Sequence, residues 1–179
     1  MNELIEKLRK KYPIKDEVYQ RENLTFVSVE KDQAVDLITH LRDYEQFSHL
    51  VILTAVDWIE ENLFQLTYLL NSPSKKMDIG VRVMIDRSNP EMVSIHHLWA
   101  AAATYQRELF EMFGIPFPDS PRLKVPFILE GWKGMPPYRR DFDTLKYSEE
   151  TFFPRPGRSK KDPAEHMKEM MYPEENGSV

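Results

Sequence analysis

Residues 98–114 read LWAAAATYQRELFEMFG, and they divide the chain in two. Four consecutive alanines and no internal Gly or Pro give this stretch high helix propensity. Leu98, Ala102, Tyr105, Leu109 and Met112 recur at steps of three and four, so they share one face. Thr104, Arg107, Glu108 and Glu111 share the opposite one. Gly114 stands where a helix stops, because Gly takes the left-handed conformation without strain. Pro116 blocks continuation. The pattern predicts one amphipathic helix of about four to five turns, at roughly 3.6 residues per turn.

Upstream, the periodicities describe a folded α+β unit. Residues 2–12 predict a short helix with Leu4, Ile5, Leu8 and Tyr12 as its apolar stripe, ended by Pro13. LTFVSVE at 24–30 alternates apolar and polar, as a strand does. Residues 32–44 predict a second helix with Val35, Leu37, Ile38 and Leu41 inward. The nearly continuous apolar run at 50–59 predicts a strand buried on both faces. Two more strands follow at 63–70 and 76–85, separated by Ser72, Pro73 and Ser74 as in a hairpin. Neighbouring strands favour antiparallel pairing. The fold class is therefore α+β: a mixed or mainly antiparallel sheet with helices packed on it, followed by an extended C-terminal arm.

Downstream of Gly114 the composition changes. Ten of the thirteen prolines lie from Pro116 onward, so regular elements give way to extended chain. The segment is nonetheless rich in large apolar residues, among them Phe117, Leu123, Phe127, Ile128, Leu129, Trp132, Tyr138, Phe142, Tyr147, Phe152 and Phe153. A solvated linker is poor in these. Between Arg122 and Lys161 stand ten basic and five acidic side chains, an excess suited to an acidic partner surface. The division expected is a globular α+β domain over 1–115, an irregular Trp- and Arg-containing segment packed on it over 116–141, and a partner-docking arm over 142–179. A short terminal helix is expected at 165–171, with fraying from 174.

Composition excludes several function classes. A net charge of −5 argues against nucleic acid as the main partner. With no cysteine, disulfides, zinc–thiolate sites and Cys-ligated iron–sulfur clusters are ruled out. No apolar run reaches the roughly 18 residues of a membrane span, and MNELIEKLRKKYP lacks the apolar core of a signal peptide. Membrane association is expected only through a partner.

Motifs for chemistry are sparse. His40, His49, His96, His97 and His166 make no i, i+4 pair of the metalloprotease type. The adjacent His96 and His97 diverge on any regular element. The glycines form no phosphate loop, and no serine sits in a nucleophile motif. The polar helix face is the best remaining candidate. Arg107, Glu108 and Glu111 form either an exposed, ion-paired surface or a charged set that orders the arm or reaches a partner. In the second case Glu108 pairs with Arg139. Asp57 interrupts an apolar strand: either it ends the strand at the surface, or it is buried and needs a partner, supplied by the basic arm or Arg107.

Three stretches carry a family resemblance: LTAVDW at 53–58, WAAAATYQRELFEMFGIPF at 99–117, and PRLKVPFILEGWKGMPPYRRDF at 121–142. Together they resemble the 30-kDa subunit (C subunit) family of respiratory complex I, NADH–quinone oxidoreductase, which includes related subunits of complex-I-like membrane-bound hydrogenases. The residues that match its pattern include Trp99, Arg107, Glu108, Phe113, Gly114, Ile115, Phe117, Trp132, Gly134, Pro136 or Pro137, Arg139 and Asp141. The chain departs from it at Gln106 (Glu in the pattern), Glu111 (Asp), Gly131 (acidic), Tyr138 (Leu) and Arg140 (Lys).

The resemblance implies a scaffold subunit of the hydrophilic arm with no catalytic, cofactor or metal residues of its own. NAD, FMN, iron–sulfur clusters and quinone are then expected in partner subunits, the main contact being a large 49-kDa-like subunit. The location it implies is peripheral, on the cytoplasmic side of the cell membrane. Asp57, Trp99, Arg107, Glu108, Trp132, Arg139, Arg140 and Asp141 become interface candidates. The equivalent subunit of a membrane-bound nickel–iron hydrogenase is the nearest alternative. A free-standing enzyme using Glu108, Asp57 or a histidine is the alternative of another class.

Overall fold

The computed structural model describes residues 2–151. Expectations for Phe152, Phe153, His166 and the helix at 165–171 lie outside the described residues. Helix α1 (Asn2–Arg9) leads into a hairpin of β1 (Asp16–Arg21) and β2 (Leu24–Val29). Helix α2 (Lys31–Asp43) connects to a three-stranded meander of β3 (His49–Trp58), β4 (Leu63–Ser72) and β5 (Met77–Asp86), with a 3-10 turn at Ile59–Glu61. Helix α3 (Ala102–Phe113) follows. The sheet order is β1-β2-β5-β4-β3; β2 and β5 run parallel and every other pair is antiparallel. The sheet is thus mixed and the fold α+β, as the patterning requires.

Register shows how one face of the sheet makes the core. Leu53, Tyr68, Val81 and Val27 lie side by side across four strands, and Ala55, Leu66, Val83 and Val29 form the next row. All eight are buried. Leu4, Ile5 and Leu8 of α1, Leu37, Ile38 and Leu41 of α2, and Leu109 and Met112 of α3 join the same cluster. Side chains alternate across a strand, so the intervening residues point to the opposite face. Strand β3 is therefore buried on one face only, contrary to the expectation from its apolar run. It lies at the sheet edge, and Ile52, Val56 and Trp58 are exposed.

Two further differences have physical causes. Strand β1, DEVYQR, has no counterpart in the periodicity; it buries no side chain, so it lacks the alternation that marks a strand. Helix α3 starts at Ala102, four residues later than propensity indicates. Ahead of it the chain runs through successive turns, with Leu98 N–H and Trp99 N–H both donating to the Ile95 carbonyl. Tertiary bonds hold those turns: the Trp99 indole donates to the Ser48 carbonyl (2.7 Å), and the Arg42 guanidinium donates to the Leu98 carbonyl (2.9 Å). The C-terminus of α3 is as expected, with Gly114 at φ 73° and its N–H returning to Phe110.

Phe142 closes the first of two units; the second begins at Asp143. In the second unit, residues 144–151, expected as extended chain, form helix α4 (Thr144–Thr151). Asp143 caps it, its carboxylate accepting from the Lys146 N–H at 2.9 Å.

Leu109 is 3% exposed and Thr104 faces water. Leu109→Ala is expected to cost about 2–5 kcal/mol, and Thr104→Ala under about 0.5 kcal/mol. Urea unfolding of both variants checks the orientation of α3.

Candidate interaction site

The charged residues converge where the sheet, α3 and the irregular segment meet. Asp57 sits on the core face of β3, in one row with Phe64 and Ile85. Arg87, two residues past Ile85, falls on that same face. Its Nε and Nη2 donate to Asp57 Oδ1 and Oδ2 at 2.8 and 3.2 Å. The Asp57 side chain is 1% exposed and that of Arg87 12%. Of the alternatives for Asp57, the buried one holds, but the partner is Arg87 rather than Arg107. The irregular segment completes the site. The main-chain N–H of Arg140 donates to Asp57 Oδ2 at 2.9 Å, and Arg87 Nη2 also reaches Asp141 Oδ1 at 2.5 Å. The guanidinium of Arg140 turns outward onto Glu60.

Aromatic rings and helix carbonyls fix the rest. Arg87 and Arg139 both lie within cation–π range of the Phe64 ring, at 5.8 and 5.3 Å. Arg139 Nε donates to the Phe113 carbonyl (2.7 Å) and the Tyr138 N–H to the Met112 carbonyl (3.0 Å). These bonds satisfy two of the carbonyls that a helix C-terminus leaves open. On α3, Glu111 accepts three main-chain N–H bonds, from Phe127 at 2.6 Å, Ile128 at 2.8 Å and Leu129 at 2.9 Å. Trp132 closes its own turn, the indole donating to the Met135 carbonyl at 3.0 Å, and its ring meets Phe142.

Electrostatics follow the geometry. Burial alone would raise the Glu111 carboxyl, but the three N–H donors and Arg107 outweigh it and hold it below its ordinary value. Burial likewise opposes, and Arg87 overcomes, at Asp141, which is also lowered. Arg87 is raised, first by its bonds to Asp57.

Asp57, Arg140 and Asp141 thus come together, with Arg139 and Trp132 on the same segment. Trp99 lies elsewhere, at the α3 entrance. Arg107 rests over the Phe127 ring at 5.4 Å, and its Nε is buried with no hydrogen-bond partner among the described residues. Glu108 makes no bond there either, so the Glu108–Arg139 pair is not formed; the Phe113 carbonyl takes the Arg139 Nε–H instead. Sequence reasoning missed Arg87, although counting two residues on from Ile85 in the meander register would have found it. It also missed Gln106, fully buried on α3, whose Oε1 accepts from the Ser94 and Ser120 hydroxyls at 2.8 and 2.7 Å. Of the histidines, His96 bonds Ser94, and its ring stands edge-on to His97. Among the described residues no three His, Asp or Glu side chains gather as metal ligands do.

The fold and this anchor define a two-layer α+β domain whose C-terminal extension is clamped to the sheet through a buried carboxylate. Residues 27–148 match the family model described as respiratory-chain NADH dehydrogenase, 30 Kd subunit. The chain belongs to that family. It is 34% identical over 142 residues to the C subunit of NADH-quinone oxidoreductase from Moorella thermoacetica, covering 79% of this chain and 95% of that one. It is 28% identical over 115 residues to the C subunit of F(420)H(2) dehydrogenase from Methanosarcina mazei, covering 64% and 73%. Other relatives are longer: the chain spans 41% of the corresponding NADH-quinone oxidoreductase protein of Novosphingobium aromaticivorans. Among solved structures, a chain of the membrane-bound sulfane sulfur reductase, an archaeal respiratory membrane complex, superposes with a TM-score of 0.81 at 26% identity, over 90% of this chain and 97% of that one. No described helix is long and apolar enough to cross a membrane.

Asp57→Ala strips a buried guanidinium of its partner and is expected to cost about 3–5 kcal/mol in thermal or urea unfolding. A Glu108/Arg139 double-mutant cycle should add to within about 0.5 kcal/mol. The acid limb carries a second signature. Glu111 and Asp141 are lowered from 4.5 and 3.8, so the unfolded chain takes up these protons first. Their contribution is complete above those values and is lost as pH falls through the lower folded ones. Glu111→Gln should flatten the pH dependence of stability below about 4.5, measured by unfolding at fixed pH steps.

Proposed function

We propose that the chain is a non-catalytic scaffold subunit in the hydrophilic arm of a complex-I-like NADH–quinone or ferredoxin–quinone oxidoreductase. In this role it supports electron transfer to quinone coupled to ion translocation. One observation carries the reading: the carboxylates and the arginine gathered at this site are committed to fastening its own chain. Asp57, Arg87, Asp141 and Glu111 all bind main chain or one another. A reacting group needs a free acid, base or donor set, and these groups are engaged in structure. In this reading residues from Phe142 onward dock on a large 49-kDa-like subunit. A relative from Aquifex aeolicus, 31% identical over 137 residues, carries the C/D 2 designation among NADH-quinone oxidoreductase subunits, which supports a D-type subunit as the neighbour.

NAD, FMN, iron–sulfur clusters and quinone are then carried by partner subunits, and the complex holds this chain on the cytoplasmic side of the membrane. A second reading makes it the equivalent subunit of a membrane-bound hydrogenase or related complex. The 0.81 superposition on a sulfane sulfur reductase chain favours that branch. Flavin subunits for NADH encoded beside this chain would select the first reading, and hydrogenase maturation proteins the second.

Ending the chain after Phe142 should leave the clamp intact and abolish recovery with the large subunit when the complex is purified from membranes. Recovery undiminished by the truncation would overturn the docking arm. The purified full chain should be colourless and hold no stoichiometric iron, zinc or flavin by metal analysis and absorption.

A further inference from the structure

Where α1 meets the end of α2, one histidine is enclosed by charge. The His40 side chain is 11% exposed and that of Glu45 7%. The ring lies between Tyr12, at 5.7 Å, and Tyr44, stacked at 5.2 Å. Its two nitrogens face opposite charges: Nδ1 is 3.1 Å from Lys11 Nζ, and Nε2 is 3.9 Å from Glu45 Oε1. A lysine ammonium has three donors and no acceptor. Nδ1 therefore accepts from Lys11, and the ring hydrogen is on Nε2, toward Glu45. The ring is neutral in this arrangement, because a hydrogen on Nδ1 would set donor against donor.

The other charges near the ring come from three elements. Lys7 of α1 and Lys75 of the β4–β5 turn both bind the Glu45 carboxylate. On α2, Asp43 holds Arg42, and Asp36 is exposed, its carbonyl accepting from the Tyr12 hydroxyl at 3.4 Å. Lys11 meets no carboxylate among the described residues. Besides His40 Nδ1 it has the rings of Tyr12 and Tyr44, at 5.5 and 5.9 Å. Its main-chain N–H and that of Tyr12 both return to the Leu8 carbonyl, so the side chain ties the end of α1 to α2.

We propose that His40 is an acid-operated latch on the end of α1: neutral, it holds Lys11 through Nδ1; protonated, it drops Lys11 and turns its charge to Glu45. The proton comes from water and lands on Nδ1, the lone pair that Lys11 occupies. Two cationic donors then face each other, and Lys11 leaves. The new charge finds Glu45 on the other side of the ring and the last turn of α2, where a cation is favoured. Burial first, then Lys11, holds His40 below its ordinary 6.5, while Glu45 opposes them. The fold thus favours the neutral ring. Its contribution is complete above 6.5 and is lost as pH falls through the lower folded value. The latch belongs to the domain itself and does not depend on the role of the chain in an assembly.

The test is a nuclear magnetic resonance titration of the full chain, nitrogen-labelled at histidine and lysine, from about pH 8 to about pH 5. Above the midpoint the His40 ring should show the Nε2–H tautomer, and the Lys11 Nζ signal should move with the same midpoint as the ring. Lys11→Met should raise that midpoint, because a cation is removed; Glu45→Gln should lower it, because an anion is. Amide exchange at Lys11 and Tyr12, corrected for the intrinsic rate, should quicken at least about threefold below the midpoint. In His40→Gln, which keeps an acceptor and does not titrate, both the Lys11 signal and the exchange should stay level. Lys11 is exposed, so Lys11→Met keeps the fold and decides if either other variant does not. A neutral ring with its hydrogen on Nδ1, a Lys11 signal or amide exchange that ignores the ring's midpoint, or a midpoint unchanged in Lys11→Met overturns the latch.

Discussion

A carboxylate buried in a sheet must be paired, and Asp57 is 1% exposed. Left alone it would carry a desolvation cost of several kcal/mol per ion. Arg87 meets both oxygens, and the Arg140 N–H adds a third bond. The consequence is geometric as much as energetic. Arg87 is fixed by the end of β5, Asp57 by β3, and Arg140 belongs to a segment with no regular structure. The demand for a partner at Asp57 therefore holds that segment in place where no backbone ladder does. Asp141 doubles the link through the same guanidinium.

The clamp works with the end of α3 rather than beside it. A helix C-terminus leaves carbonyls open, and here Tyr138 and Arg139 supply donors to Met112 and Phe113. Gly114 is necessary at this point: its φ is 73°, and an added Cβ would lie 3.1 Å from both Arg139 and Pro136. One turn back, Glu111 gathers the N–H groups of 127–129. A loop rich in proline has few ways to satisfy its backbone. Side chains from the helix and the sheet do it, so the segment from Phe127 to Phe142 is ordered by its neighbours.

Sequence periodicity identifies every element that buries an apolar stripe, because burial is what periodicity records. It is silent on β1, which buries nothing. It misreads the exposed face of β3, because Ile52, Val56 and Trp58 are apolar yet exposed, and periodicity cannot tell them from core residues. At the site, Asp57, Arg139, Arg140 and Asp141 are legible as charges in apolar surroundings. Which charge meets which is not. Glu108 and Arg139 are both plain in the sequence, yet their pairing depends on where a helix carbonyl ends up. Arg87 needs strand register, and Gln106 needs two serines that lie 12 and 14 residues away from it in opposite directions.

The departures from the family pattern become intelligible at these same atoms. Gln106, where the pattern has Glu, still takes both serine hydroxyls on Oε1. It avoids placing a charge at a fully buried position, at the cost of leaving Nε2 without a partner among the described residues. Arg140 for Lys is a mild exchange, because the buried bond comes from its main-chain N–H and only its exposed head meets Glu60. Gly131 replaces an acid at φ 77°, a conformation glycine adopts without strain, and the turn closes through the Trp132 N–H to Leu129. Tyr138 for Leu keeps an apolar body and sets its ring edge-on to Phe113 at 5.7 Å. Glu111 for Asp has one more methylene and spans three successive N–H groups. At Glu111, Arg140 and Tyr138 the residue present in this chain itself bonds or packs the segment. In this chain the segment is fastened by bonds to main chain from Asp57, Glu111 and Arg139.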